Sequence, residues 1–125
     1  MSFALHESGI NIPNIPGKTF KGANNKYYFL GAANLLAWMK KTFGTPTGSN
    51  HLLGAQGGVN GVNFPTLLSG INGIYSMVAP TAIQSSWASG HADIVYNSNC
   101  AAGCNFYDPK NQFVPIDYID VWQLP

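Results

Sequence analysis

The sequence predicts an α+β domain in which one helix packs on a small antiparallel sheet, and three observations lead there. An amphipathic helical stretch occupies residues 31–43, and three stretches rich in Ile, Val and Tyr follow it in the second half. Core-forming residues are plentiful, with 46% of the 125 residues hydrophobic and 13% aromatic. A helix followed by consecutive strands indicates segregated α and β structure rather than a parallel βαβ sheet. The length is that of one domain, residues 1–125, long enough to fold on its own core without metal or cross-link.

Taken in order, the opening carries Pro13, Pro16 and Gly17 close together and reads as an irregular arm, followed by Asn24 and Asn25. In the helical stretch Ala32, Leu35, Leu36, Met39 and Phe43 follow the i, i+3, i+4, i+7 spacing of one buried face. Lys40 and Lys41 complement the macrodipole in the last turn, Gly44 is placed as a C-cap, and Pro46 prevents continuation. Residues 45–63 carry five glycines and read as a long surface loop. Asn63 is positioned to cap a short helix with Pro65 in its first turn, ending at Gly70. Strands are expected over 73–78, 91–96 and 116–124, with turns at Pro80, 85–90 and 100–111.

Charge excludes several functions. Charged residues are only 9% of the chain, against about 25% in an ordinary domain. Six lysines, no arginine and a net charge of +1 give no cationic footprint for nucleic acid. No apolar run approaches the ~20 residues of a membrane span, so no membrane insertion is expected. The first residues have neither a basic start nor a continuous apolar stretch, which is unlike a secretory signal peptide. Asparagine and glycine replace charge, and residues 42–92 contain no Lys, Arg, Asp or Glu at all.

Histidine is the scarce titratable group. In Gly90-His91-Ala92-Asp93-Ile94 the period of a strand puts His91 and Asp93 on the same face, where the carboxylate can orient or charge the imidazole. His51 in the glycine-rich loop reads as solvated, and His6 lies in the arm. Cys100 and Cys104 with one histidine fall short of four zinc ligands, so neither metal nor cofactor is expected. A short-loop disulfide fits them better than two free thiols, since Gly103 allows a tight turn, and it points to an oxidising compartment. Gly54 to Gly61 lacks the Lys-Ser/Thr ending of a phosphate-cradling loop.

The C-terminal third also carries a family resemblance. Gly90-His91-x-x-Ile94, Cys100-x-x-x-Cys104, Asp108-Pro109, Phe113-Val114-Pro115 and Trp122-x-Leu124-Pro125 together resemble the type VI secretion amidase effectors of the fourth family. These are papain-like cysteine peptidases of the NlpC type. The resemblance implies a papain-like fold with a nucleophile helix on the sheet, and cleavage of the γ-D-glutamyl–diaminopimelate amide in peptidoglycan stem peptides. It implies release into a target cell's periplasm by a route that needs no signal peptide, and a cognate immunity protein as partner. In the family the nucleophilic cysteine opens the helix, where the dipole stabilises thiolate. Here Ala32 occupies that position, twelve residues before Gly44, and neither Gly31 nor Ala33 supplies a nucleophile.

Family members often carry an acidic third triad member between the two loop cysteines; here Ala101, Ala102 and Gly103 fill the gap. Asp93 is the nearest substitute by sequence, with Asn99 or Asn105 as neutral alternatives. The expected site is therefore Ala32 at the nucleophile position, His91 as base and Asp93 as third member. Ala32 stands either for a cysteine replaced to silence a hydrolase or for a degenerate relative that binds without cutting. The competing readings are a non-catalytic peptidoglycan- or glycan-binding module, stacking saccharides on Tyr27, Tyr28, Trp38 and Trp87, and a structural secreted domain. In the amidase reading the uncharged run 42–92, including Gly54 to Gly61, is expected to wall the cleft.

Overall fold

In the computed structural model, which describes residues 1–7, 9–79, 90–101, 103–104, 107–108 and 111–123, a five-stranded antiparallel sheet separates two apolar layers. Its order is β3 (His51–Leu53), β9 (Tyr118–Gln123), β4 (Asn72–Val78), β5 (Gly90–Tyr96), β6 (Asn99–Cys100). The three strands expected from sequence are the adjacent trio β9, β4 and β5. Two small hairpins flank the sheet, β1 (Thr19–Lys21) with β2 (Tyr27–Phe29), and β7 (Tyr107–Asp108) with β8 (Asn111–Pro115). Pro80, residues 85–89 with Trp87, Ala102, Asn105, Pro109, Leu124 and Pro125 lie outside the described residues.

Strand β4 is central because it is apolar on both faces: Gly73 through Met77 are all buried. Ile74 packs with Leu35 and Met39 of α2 (Ala32–Phe43) and with Leu5 and Ile12. Tyr75 and Met77 point to the opposite layer, with Leu52, Phe64, Leu68, Val95, Ile119 and Val121. Each such side chain taken from water contributes roughly 1.5–3 kcal/mol. Helix α2 starts at Ala32 with Gly31 as an extended N-cap and stops at Gly44, whose φ of 91° favours glycine. Among the described residues no helix is long and apolar enough to cross a membrane.

Two expectations are corrected. The opening is only partly irregular: residues 10–18, with Pro13, Pro16 and Gly17, carry no helix or strand, but Ser2–Glu7 form helix α1, the β1–β2 hairpin follows, and Leu5 and Ile12 are buried. A six-residue helix is too short to show a period, and the hairpin turn rests on Asn25 at φ 62°. Residues 45–63 are not a loose loop. They form β3 and three 3-10 turns, Gly48–Asn50, Gly54–Gly57 and Val59–Gly61, followed by helix α3 (Phe64–Leu67). The glycines mark close packing: a Cβ on Gly54 would lie 1.9 Å from the Ile116 carbonyl oxygen, and one on Gly57 2.2 Å from the Phe64 ring.

Candidate functional site

Ala32 is the first residue of α2, and it meets the sheet at Gly90, the first residue of β5. A Cβ on Gly90 would lie 3.6 Å from the Ala32 methyl and 2.7 Å from the Met77 carbonyl oxygen, so the helix start approaches the strand through a residue without a side chain. Gly31, Ala32, Gly90 and His91 line one cavity of about 230 Å³, completed by Met1, Ser2, Phe29 and Leu30. Larger hollows of about 470 and 570 Å³ include neither Ala32 nor His91, and size does not select the site here.

The register pairs Met77 with His91 and Tyr75 with Asp93, which puts these four side chains on one face of the sheet. Gly90 and Ala92 belong to the other face, which α2 covers. The His91 ring stands edge-on to Tyr75 with centroids 6.4 Å apart. Its Nε2 is buried 3.7 Å from Asp93 Oδ2 and makes no hydrogen bond among the described residues. Asp93 is itself buried, and its Oδ1 accepts the Ile94 N–H at 2.7 Å. Ala32 and His91 thus line one cavity, while Asp93 faces His91 from the same strand, on the sheet face opposite the one that α2 covers.

A second cavity of about 290 Å³ also starts at Ala32 and follows α2 to Lys40 and Tyr118. Lys40 Nζ donates to the Tyr118 hydroxyl at 3.0 Å and lies 3.4 Å from Asp120 Oδ2. Burial works against the Lys40 charge, but the Tyr118 hydroxyl and the Asp120 carboxylate together raise its pKa above the ordinary 10.5. Asp120 is fully buried, and its Oδ1 accepts a hydrogen bond from His51 Nδ1. His51 is therefore not merely solvated, a correction that follows from β3 pairing His51 with Asp120. His6 is no arm residue either: it is buried, and its Nε2 donates to the Tyr27 carbonyl. Sequence reasoning missed the Lys40–Tyr118–Asp120 group, whose one signal was an aspartate alternating with Tyr118 and Trp122 along an apolar strand.

Cys100 and Cys104 are disulfide-bonded, with Cα atoms 5.0 Å apart. Residues 54–61 line neither cavity at Ala32, because β3 lies at the opposite edge of the sheet from β5. Among the described residues of the uncharged run the walls are Met77, Val78, Gly90, His91 and Ala92, and Gly54 to Gly61 contribute none. Of the proposed stacking rings, Trp38 packs on Phe29 and Phe43, and Tyr28 on His6 and Phe20. Among the described residues no group of three or more His, Cys, Asp or Glu side chains is arranged to hold a metal.

Comparison with known proteins points one way. The model of a family described as type VI secretion system amidase effector protein 4, Tae4, matches residues 1–122. No curated protein matches the chain. Among solved structures, Tae4 of Salmonella typhimurium in complex with the immunity protein Tai4 of Enterobacter cloacae has a TM-score of 0.75 at 24% identity, covering 100% of this chain and 72% of that one. The Tae4–Tai4 complex of Enterobacter cloacae gives 0.74 at 20% identity, with 100% and 71% covered. At such identity the likeness carries the fold, which is the α+β, papain-like arrangement of NlpC type.

Proposed function

The chain belongs to the type VI secretion system amidase effector protein 4 family, and from that premise we propose that residues 1–125 form a single domain acting on the γ-D-glutamyl–diaminopimelate amide of peptidoglycan stem peptides, in a nucleophile-substituted form. The observation that carries this reading is the shared cavity of Ala32 and His91, the first at a helix N-terminus and the second beside a buried carboxylate.

A cysteine at position 32 has the chemistry the cavity needs. The unpaired N–H groups and partial positive charge of the first turn stabilise its thiolate. His91 takes the thiol proton as the thiolate attacks the amide carbonyl and forms a C–S bond, then gives that proton to the amine that leaves as the C–N bond breaks; water, activated by His91, hydrolyses the thioester and restores the thiol. With Nε2 turned to Asp93, Nδ1 is the nitrogen that serves the thiol. Backbone N–H groups at the helix start hold the oxyanion. With alanine at 32 and both described cysteines in a disulfide, the chain binds the peptide without cutting it.

The reading extends to delivery and partner. A disulfide suits release into the periplasm of a target cell. The solved relatives are held by the immunity protein Tai4, and a cognate immunity protein is the expected partner here.

The test is Ala32→Cys incubated with purified muropeptides and read by mass. Cleavage at the Glu–diaminopimelate bond that disappears when His91→Ala is added is the expected result. No cleavage by a folded Ala32→Cys protein with its disulfide intact overturns the amidase reading.

A further inference from the structure

The cavity that runs from Ala32 along α2 is an apolar trough with one charge at its far end. Ala33, Leu36, Ala37, Met77 and Val78 form its sides, and among the described residues Lys40 is the one charged side chain lining it. We infer that Lys40 is a specificity residue, whose ammonium receives a free carboxylate of the peptide bound across Ala32. This rests on the amidase reading of the Ala32–His91 cavity and adds which part of the substrate is read, and by what.

The ammonium has three donors. One goes to the Tyr118 hydroxyl at 3.0 Å, and a second faces Asp120 Oδ2 at 3.4 Å. Asp120 engages the lysine through Oδ2 alone, since Oδ1 accepts from His51, and Oδ2 has no closer hydrogen-bond partner among the described residues. The third donor is left for the trough, and the Lys40 side chain is 27% exposed, so a ligand reaches it. Tyr118 fixes the direction of the cation, since the ammonium also lies over its ring at 4.8 Å.

Spacing defines the ligand. Positions 32 and 40 are eight helical steps apart, an axial rise of about 12 Å, and helical side chains lean back toward the N-terminus. An extended peptide advances about 3.5 Å per residue. The carboxylate therefore sits two to three residue lengths from the attacked amide. Diaminopimelate, with a carboxylate at each end of an aliphatic chain, has an apolar body for the trough and an acid for its end.

The experiment uses the chain with Ala32 in place, so that binding is measured without turnover. Calorimetric titration compares the tripeptide L-Ala–γ-D-Glu–diaminopimelate with the same peptide carrying amides in place of the diaminopimelate carboxylates. The acid peptide should bind about tenfold more tightly or better, a preference that weakens with salt. Lys40→Gln should bring the acid peptide down to the affinity of the amide and leave the amide unchanged, while Lys40→Arg keeps the preference. A structural lysine would instead lower both affinities together, and that result overturns the inference. Equal binding of the two peptides by the unaltered chain overturns it without any variant, so a misfolded Lys40→Gln protein does not rescue it. Equal binding combined with cleavage of both peptides by Ala32→Cys leaves the amidase reading standing and removes only Lys40. No binding of either peptide and no cleavage removes both.

Discussion

The Ala32 methyl lies 3.6 Å from the point where a side chain on Gly90 would begin, so helix α2 and strand β5 meet through an empty position. That contact sets how near the helix start comes to His91. Gly90→Ala introduces a methyl 2.7 Å from the Met77 carbonyl oxygen, a backbone atom that cannot rotate away. The expected cost is about 1–3 kcal/mol, read as a lower melting temperature. Combined with Ala32→Cys, the same change should also reduce turnover, because strand and helix start are pushed apart. An unaltered melting curve would show that β5 shifts freely at this point.

The disulfide offers a test of compartment. Cys100 and Cys104 close a short loop beside the end of β5 away from His91, where Val95 pairs with Cys100. Closing so short a loop restricts the unfolded chain by about 2 kcal/mol. Reduction should lower the melting temperature by several degrees, and the Cys100→Ser, Cys104→Ser double variant should melt at the reduced value and no longer respond to reductant. Binding of stem peptide should survive, since neither cysteine lines the cavities at Ala32. Loss of binding on reduction alone would tie the loop to the site.

Much of the fold was legible because its strongest signals are local. The period of Leu35, Leu36 and Met39, the stop at Gly44 and the apolar runs of β4, β5 and β9 each follow from a few neighbouring residues. Where sequence reasoning failed, the deciding contact was distant. Gly54 and Gly57 look like loop residues until Ile116 and Phe64 are placed against them. His51 looks solvated until β3 is set beside Asp120, sixty-nine residues away. At the candidate site, His91 and Asp93 share a face by strand period alone, whereas the helix start meets their strand only through tertiary packing on Gly90.

Lys40 provides a pH test of the helix–sheet link. Its pKa is raised in the folded state: burial opposes the charge but is outweighed by Tyr118 and Asp120. The folded protein thus holds this proton more tightly than the unfolded chain. The resulting stabilisation is fully present below pH 10.5 and is lost as pH rises through the higher folded value. Denaturant unfolding from pH 8 to about pH 11.5 should show the unaltered protein losing stability faster than Lys40→Met at the alkaline end, the other lysines cancelling in the comparison. Because the side chain is partly exposed, the effect should be modest and should shrink with added salt. Parallel curves would mean that Asp120 is held by His51 alone.

The third catalytic role is the sharpest question left by the geometry, because Asp93 faces His91 from the same strand rather than from the cysteine loop. At 3.7 Å from Nε2 the carboxylate is just beyond hydrogen-bond distance, and catalytic hydrogen bonds often tighten only when substrate binds. If Asp93 orients and charges the imidazole, its effect must appear in the chemical step. In an Ala32→Cys background, Asp93→Ala should lower kcat by roughly ten- to a thousandfold with KM little changed. Asp93→Asn should fall between, since an amide still orients the ring but does not stabilise the imidazolium. The fold must be checked in parallel, because Asp93 is buried and accepts the Ile94 N–H. A Asp93→Ala protein that is folded, binds stem peptide and turns over at the Ala32→Cys rate would remove Asp93 from the site and send the role to another partner of Nε2.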